Sequence, residues 1–512
     1  MSLLGIDVGT TGCKTLAFSE EGDVIASAYE EYDVQRLQPG WSELDANDVW
    51  EKVKGTIRKV AQASAHDPVR ALAVSSLGEA VVPVTDDRRI LGSSILNEDV
   101  RGEEHLERLG SVLDTEYLYR VNGNTLGNNY GLTKLLWIRD RRPDLFEQAD
   151  KFLLWGSFVP YMLGAEPSVD FSLANRTLLF DIDKEAWSSD ILNRVGLDES
   201  KLPGTVMSGT NIGTISRKMA SEMNLPEDVS LIVGAHDQCA NALGCGAIEK
   251  HIAMLGMGTF LCMVPVFTRR PEAALMIERG LNTEHHAVPG HFVSFIYNQG
   301  GSLLKWYRDT FAASDHAAAQ SEGTDIYESL ISEIPPGPSS VVVLPHFTAT
   351  GPPEFVTDSC GVIAGPRLST SRGDILKGIL EGTVFYLREC AESLPEAGIE
   401  MSDIRAVGGG SKSDAWIQIC ADILNRSFSR PRLTEAGALG AAILAGVGSG
   451  AYSSVAEGVE AAVKIERQFE PDPDMTKPYA ARFDQYRRMW PLMKDYLRDI
   501  CTIREELQSP NE

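Results

Sequence analysis

Residues 3–18, LLGIDVGTTGCKTLAF, decide how the rest of the chain is read. An apolar run of Leu3, Leu4, Ile6 and Val8 carries one acid, Asp7, into a turn of Gly9, Thr10, Thr11 and Gly12. Lys14, Leu16 and Phe18 then restart an alternating pattern. This predicts a β-hairpin with a polar tip. Small turn residues let backbone N–H groups converge on an anion, the threonines add hydroxyl donors, and Lys14 adds charge. Asp7, at the strand end, suits a hydrated divalent cation. The spacing matches neither G-x-x-x-x-G-K-S/T nor G-x-G-x-x-G, so on its own the hairpin reads equally as a Gly/Thr turn with an edge acid. A second copy of the idea, AMLGMGTFLCM at 253–263, points to a duplicated domain.

At 512 residues the chain exceeds the size at which one core keeps growing, so two domains of roughly 250 residues are expected, 1–247 and 248–512. The 72 acidic against 47 basic residues give a formal charge of −25, which argues against nucleic acid or an anionic membrane as partner. An anionic ligand then needs a local positive site. The eight cysteines show neither C-x-x-C pairs nor zinc spacing and read as reduced, mostly buried thiols. No basic-then-apolar leader precedes the first strand, and the longest apolar stretch, 436–447, is too short to span a bilayer. A cytoplasmic protein is expected.

Along the chain, 24–32 reads as a third strand, and Asn47 or Asp48 is expected to cap a helix ending near Ala63. ALAVSSLGEAVVPV, 71–84, is strand, polar break, strand, and an acid in such a break, Glu79, is either solvated or a ligand contact. Glu98, Asp99 and Arg101 precede a helix and read as helix-start charges. Helices are expected over 129–140 and 181–202. A strand at 229–233 runs into GAHDQCANALGCGA, placing Asp237 at a strand end and helix start, where catalytic acids sit in α/β folds. Capping is the plainer alternative. YNQGGSLLKWYRDTF (297–311) and 374–394 read as helices, and IRAVGGGSKSDAWIQICADILN (404–425) as strand, triple glycine and helix. Three consecutive glycines let a flat ring or ribose lie against the backbone. EAGALGAAILAGVGSG, 435–450, is a small-residue helix built for close packing, and without Gly/Pro linkers the domains should share a broad interface.

Together DVGTTGCK, GAHDQ, LGMGTF, GGGSKSDAWIQICADILN and EAGALGAAILAGVGSG, with DFSLANRTLLFDI at 170–182, resemble the FGGY carbohydrate kinases, xylulokinases most of all. The resemblance implies an α/β protein of two ribonuclease-H-like (actin-like ATPase) domains hinged about a central cleft. It places a sugar or polyol in the first domain, ATP with Mg2+ on the second, and implies a homodimer. It implies Asp237 as general base and Asp7 as the acid near the metal. It assigns Thr10, Thr11 and Lys14 to the first phosphate hairpin and Gly258 and Thr259 to the second. Gly301 and Lys305 fall in a nucleotide-contacting stretch, and Gly408, Gly409, Gly410 and Ser413 in the adenosine segment. Gly78, Glu79, Asp99, Asp237 and Gln238 fall at the acceptor.

Phosphoryl transfer fits this set, because it needs positioning, charge neutralisation and a carboxylate that accepts the attacking hydroxyl's proton. The chain departs from xylulokinases at the acceptor. Leu77, Gly78, Glu79 and Ala80 stand where a Gln-Met-His-Gly-like stretch is usual, and Glu79 resembles the acid of glycerol kinases. A D-xylulose-type ketopentose and a glycerol-type polyol or other ketose therefore stand side by side as acceptors. An actin-like ATPase module is the non-kinase reading, and it has no use for an acidic pocket at Glu79, Asp99 and Asp237.

Overall fold

The computed structural model describes residues 1–508. β1 (Ser2–Val8) and β2 (Gly12–Phe18) form the expected hairpin, with Asp7 opposite Lys14. β3 (Val24–Glu31) pairs with β2, and α1 (Ala46–Ala63) buries Val49, Val53, Ile57 and Val60 beneath the sheet. The cap of α1 is Asp45, not Asn47 or Asp48: its carboxylate accepts from the amides of both. Its extended backbone (φ −68°, ψ 105°) aims the side chain at those two orphan donors. β4 (Val69–Ser76) and β5 (Ser230–His236) add parallel strands, giving the order β5-β4-β1-β2-β3 with an antiparallel edge at Asn211–Thr214.

The second sheet repeats the plan. β6 (His251–Met257) and β7 (Phe260–Phe267) form the second hairpin, β8 (Ile296–Gln299) pairs with β7, and β9 (Met401–Val407) and β10 (Ser427–Pro431) follow in parallel. The order is β10-β9-β6-β7-β8. Three antiparallel strands followed by two parallel ones is the ribonuclease-H-like arrangement, and it occurs twice.

α2 (Asp237–Gly244) follows β5. In the second copy α3 (Gly301–Phe311) follows β8, α4 (Arg372–Ala391) precedes β9, α5 (Asp414–Leu424) comes after it, and α6 (Ala436–Gly448) follows β10. α2 and α6, equivalent in the two copies, meet backbone to backbone. A methyl built on Gly440 would lie 2.0 Å from the Ala240 carbonyl oxygen, and one on Gly244 1.9 Å from that of Ala436. α6 also presses on β1, where a methyl on Gly5 would come within 1.8 Å of the Ala438 oxygen.

All strands of the first sheet precede Ala247 and all of the second follow it. Packing crosses that line, since one apolar cluster runs from Leu3, Leu16 and Ile232 through α2 and α6 to Met254 and Val264. The helix expected over 181–202 is shorter, Ser189–Val195 closed by Gly196 at φ 70°, because 180–187 folds into a small ribbon first. Among the described residues Cys13, Cys239, Cys245, Cys262, Cys360, Cys390 and Cys420 are free thiols, and no helix is long and apolar enough to cross a membrane.

Candidate active site

β5 ends at His236 and α2 begins at Asp237, so this carboxylate stands at a strand end and in the first turn of a helix. It occupies the first helical position, and Gln238 hydrogen-bonds it. Burial, together with the charges of Asp7 and Glu79, pushes Asp237 up to about 7. His236 Nε2 lies 3.2 Å from Asp237 Oδ1, while burial and Arg176 hold that imidazole neutral. Its ring meets Phe295 edge to face at 5.3 Å.

Asp7 is next to last in β1, on the face that α6 covers. Ser75 Oγ donates to its Oδ1 (2.7 Å), and a methyl on Gly437 would stand 3.4 Å away. Burial raises Asp7, with Ser75 and Lys14 opposing. Lys14 Nζ is paired with Glu435 Oε2 at 2.6 Å. At the tip, Gly9 N donates to the Gly12 oxygen (3.0 Å), and Tyr32 Oη sits 2.6 Å from the Gly9 oxygen, leaving Thr10 and Thr11 exposed.

Gly258 and Thr259 are the exposed tip of the second hairpin. Gly301 does not face outward there: its amide donates to the Gly258 oxygen (2.9 Å), and a methyl on it would lie 2.7 Å from that atom. It docks the hairpin onto α3, along which Lys305 is exposed. Gly408 follows β9 with φ 86°, a region glycine adopts readily. Gly410 is tight under Trp416, whereas a methyl on Gly409 would meet nothing within 4 Å. Ser413 Oγ accepts from the Trp416 amide (3.3 Å) and caps α5. The open face of the triple glycine is thus Gly409, beside the end of β6.

On the other side of Asp237 the structure alters the expectation for Glu79. It is neither solvated nor free: its Oε1 accepts from Arg176 Nε (2.7 Å) and Nη2. Burial pushes Glu79 up and Arg176 pulls it back. Glu79 holds φ 58°, a costly conformation for a non-glycine residue. Gly78 is closely packed, since a methyl there would come 3.2 Å from both Arg176 Cγ and His236 Cδ2 and would need those side chains to shift.

Asp99 is consumed within the fold. It accepts from Ser42 N (2.5 Å) and from Arg101 N and Nε (2.7 and 2.9 Å), and against burial these bonds hold it below the usual carboxylate range. Arg101, stacked on Trp41 at 4.0 Å, also pairs with Glu43. Asp99 supports the loop beside the pocket and has no carboxylate edge left for a ligand.

Residues missed by sequence reasoning surround Arg176. Its guanidinium lies over Tyr130 at 4.9 Å, and its field, with that of Glu79, reaches Tyr297 on β8; Cys262 on β7 senses both Asp237 and Arg176. One signal was available: a lone arginine inside DFSLANRTLLFDI needs a buried acid as partner.

The FGGY N-terminal domain profile matches residues 2–244 and the C-terminal one residues 270–449. A Staphylococcus epidermidis xylulose kinase is 27% identical over 504 residues, covering 98% of this chain and 99% of that protein. A Salmonella paratyphi B autoinducer-2 kinase is 29% identical, covering 95% and 93%. The crystal structure of a Lactobacillus acidophilus gluconate kinase shares the fold with a TM-score of 0.87 at 21% identity, covering 98% and 99%. With both domain profiles in order, a duplicated fold and a xylulose kinase and an autoinducer-2 kinase aligned over nearly the whole chain, this chain belongs to the FGGY family of carbohydrate kinases.

Proposed function

We propose that this ATP-dependent carbohydrate kinase phosphorylates a hydroxyl of a neutral sugar, a ketopentose of the D-xylulose type, with Asp237 as general base. The observation that carries the reading is Asp237 itself, a half-buried carboxylate at the end of β5 with its side chain 29% exposed, raised to about 7. A base near neutrality keeps a useful ionised fraction and enough basicity to take a hydroxyl proton. The attacking oxygen bonds to the γ-phosphorus as the bond to the β-bridging oxygen breaks, and the hydroxyl proton passes to Asp237.

The exposed tips at Thr10 and Thr11 and at Gly258 and Thr259, with Lys14, suit the phosphates. The open Gly409 face suits the adenosine, flanked by Gly408 and Gly410. Asp7 fits a magnesium ion, a hard cation that takes carboxylate oxygen and water and would neutralise phosphate charge. Gly301, Lys305 and Ser413 act less directly: Gly301 fixes the second hairpin, Ser413 fixes α5, and Lys305 stands exposed on α3. Gln238 steadies Asp237. At the acceptor, Glu79 contributes its remaining oxygen.

A polyol or another ketose is the second reading, favoured by Gly78 and Glu79 standing where xylulokinases have a Met-His pair. The test is acceptor-dependent ADP release over a panel of ketopentoses, aldoses and polyols. Release dependent on a ketopentose supports the first reading and on a polyol the second. Release independent of any acceptor would return the chain to an ATPase module.

A further inference from the structure

Arg176 is the strongest group without a role so far. It follows the short helix Phe171–Asn175 and is enclosed, its side chain 12% exposed. Nε and Nη2 bond Glu79 of the first domain, and Nη1 donates to Glu284 Oε1 at 2.7 Å. Glu284 comes from the edge of the second sheet, on the short strand Glu284–His285. It is fully buried, and its Oε1 also accepts from Asn282 Nδ2 (2.7 Å). Its Oε2 is buried with no partner. One cation thus sits between two acids from two domains.

The donor count shows that this arrangement is unfinished. A guanidinium has five N–H groups, and the three bonds to Glu79 and Glu284 leave one on each Nη unspent. Both bonds to Glu79 fall on its Oε1, leaving Oε2 outside them and not sealed from solvent, whereas Glu284 Oε2 is buried with no partner. A trio serving only stability gains nothing from a buried unpaired oxygen such as Glu284 Oε2, and an apolar trio of similar volume would do as well or better. The guanidinium lies 5.7 Å over Phe295, and a methyl on Gly78 would come 3.2 Å from both Arg176 Cγ and His236 Cδ2, so Arg176 neighbours the imidazole whose Nε2 is 3.2 Å from Asp237 Oδ1. Charge completes the picture: one guanidinium is paired with two glutamates, while the charge of Lys134 also acts on Glu79.

We propose that Arg176 is the specificity-determining residue for the acceptor: its unspent N–H groups hold acceptor oxygens, while Glu79 and Glu284 cancel its charge so that neutral polyhydroxyl acceptors enter and carboxylates are rejected. This rests on the acceptor site proposed above. It also means that the second domain, through Glu284, takes part in choosing a substrate bound in the first.

The test uses the full chain, the best neutral acceptor of the panel and an aldonate of the same carbon number, with ATP KM measured in parallel. Arg176→Met is expected to lower kcat/KM for the neutral acceptor by about 10- to 100-fold with ATP KM within twofold of wild type. Arg176→Lys keeps the charge but loses the fork, and should recover thermal stability without recovering kcat/KM. Glu284→Gln unmasks the arginine and should raise the aldonate-to-neutral ratio of kcat/KM at least tenfold. Because Arg176→Met leaves two acids unpaired, the double variant Arg176→Met with Glu284→Gln is measured as well. A folded double variant with wild-type acceptor KM overturns the contact, and an unchanged ratio in Glu284→Gln overturns the charge filter. Wild type with acceptor-independent ADP release would instead remove the acceptor site, a failure visible before any variant is made.

Discussion

Lys14 Nζ lies 2.6 Å from Glu435 Oε2, so the ammonium of the first hairpin is already balanced by an acid at the start of α6. Both side chains are partly exposed, at 31% and 40%, which keeps the pair weak. A triphosphate competes with Glu435 for the same cation. Glu435→Gln should therefore lower ATP KM by about 1.5- to 5-fold, the equivalent of roughly 0.2–1 kcal/mol, and Lys14→Ala should raise it. ATP KM at saturating acceptor is the measurement, and no movement in either variant would take Lys14 out of the phosphate site.

Asp237→Asn should fold, bind ATP and lose turnover by about 10²–10⁴-fold, the range for removing general-base assistance. Turnover within a few-fold of wild type would show that another group takes the proton.

The same residue sets a pH dependence. Its carboxyl is raised to about 7 by burial first and by Asp7 and Glu79 next, and only the deprotonated form accepts a proton. Log kcat/KM should therefore fall with unit slope as pH drops below about 7 and level off above it. A flat profile from pH 5.5 to 8 would separate Asp237 from the chemistry.

Asp7→Ala should depress turnover and raise the magnesium needed for half-maximal rate, with partial rescue by excess magnesium, since phosphate and water would be left as the main ligands. An identical magnesium titration would mean that Asp7, bonded by Ser75, serves the fold alone.

Gly440→Ala tests the helix crossing. The added methyl would need to displace the Ala240 carbonyl oxygen 2.0 Å away, so a loss of about 1–3 kcal/mol or more is expected. Gly409→Ala, whose methyl meets nothing within 4 Å, is the control. A melting temperature lowered only by the first substitution is the expected result.

What the sequence made legible is local. The two hairpins, the turn before Asp237 and the triple glycine each declare themselves through neighbouring residues, because strand alternation and glycine turns act over a few positions. Partnerships over long separations were hidden. Glu79 meets Arg176 across 97 residues and Arg176 meets Glu284 across 108, so an acid read as ligand-facing turned out to be half spent on a buried cation. The partners of Asp99 were hidden for a related reason: Arg101 two residues on and Ser42 far upstream both bond its carboxylate. α6 was recognised as a helix for close packing, yet nothing near 436–448 says that its neighbour is Gly5.

That contact also bears on how the protein is made. The face of the first sheet carrying Leu3, Leu16 and Ile232 is covered by a helix that leaves the ribosome almost last, after nearly the whole second sheet. At roughly 5–20 residues per second, the interval between residue 247 and the start of α6 is about 10–40 s. Throughout it the nascent first half carries a bare apolar face with glycines where a helix should lie. A chain cut after residue 247 would hold that face open permanently and should be retained by chaperones or aggregate, although all five principal strands of its sheet are present.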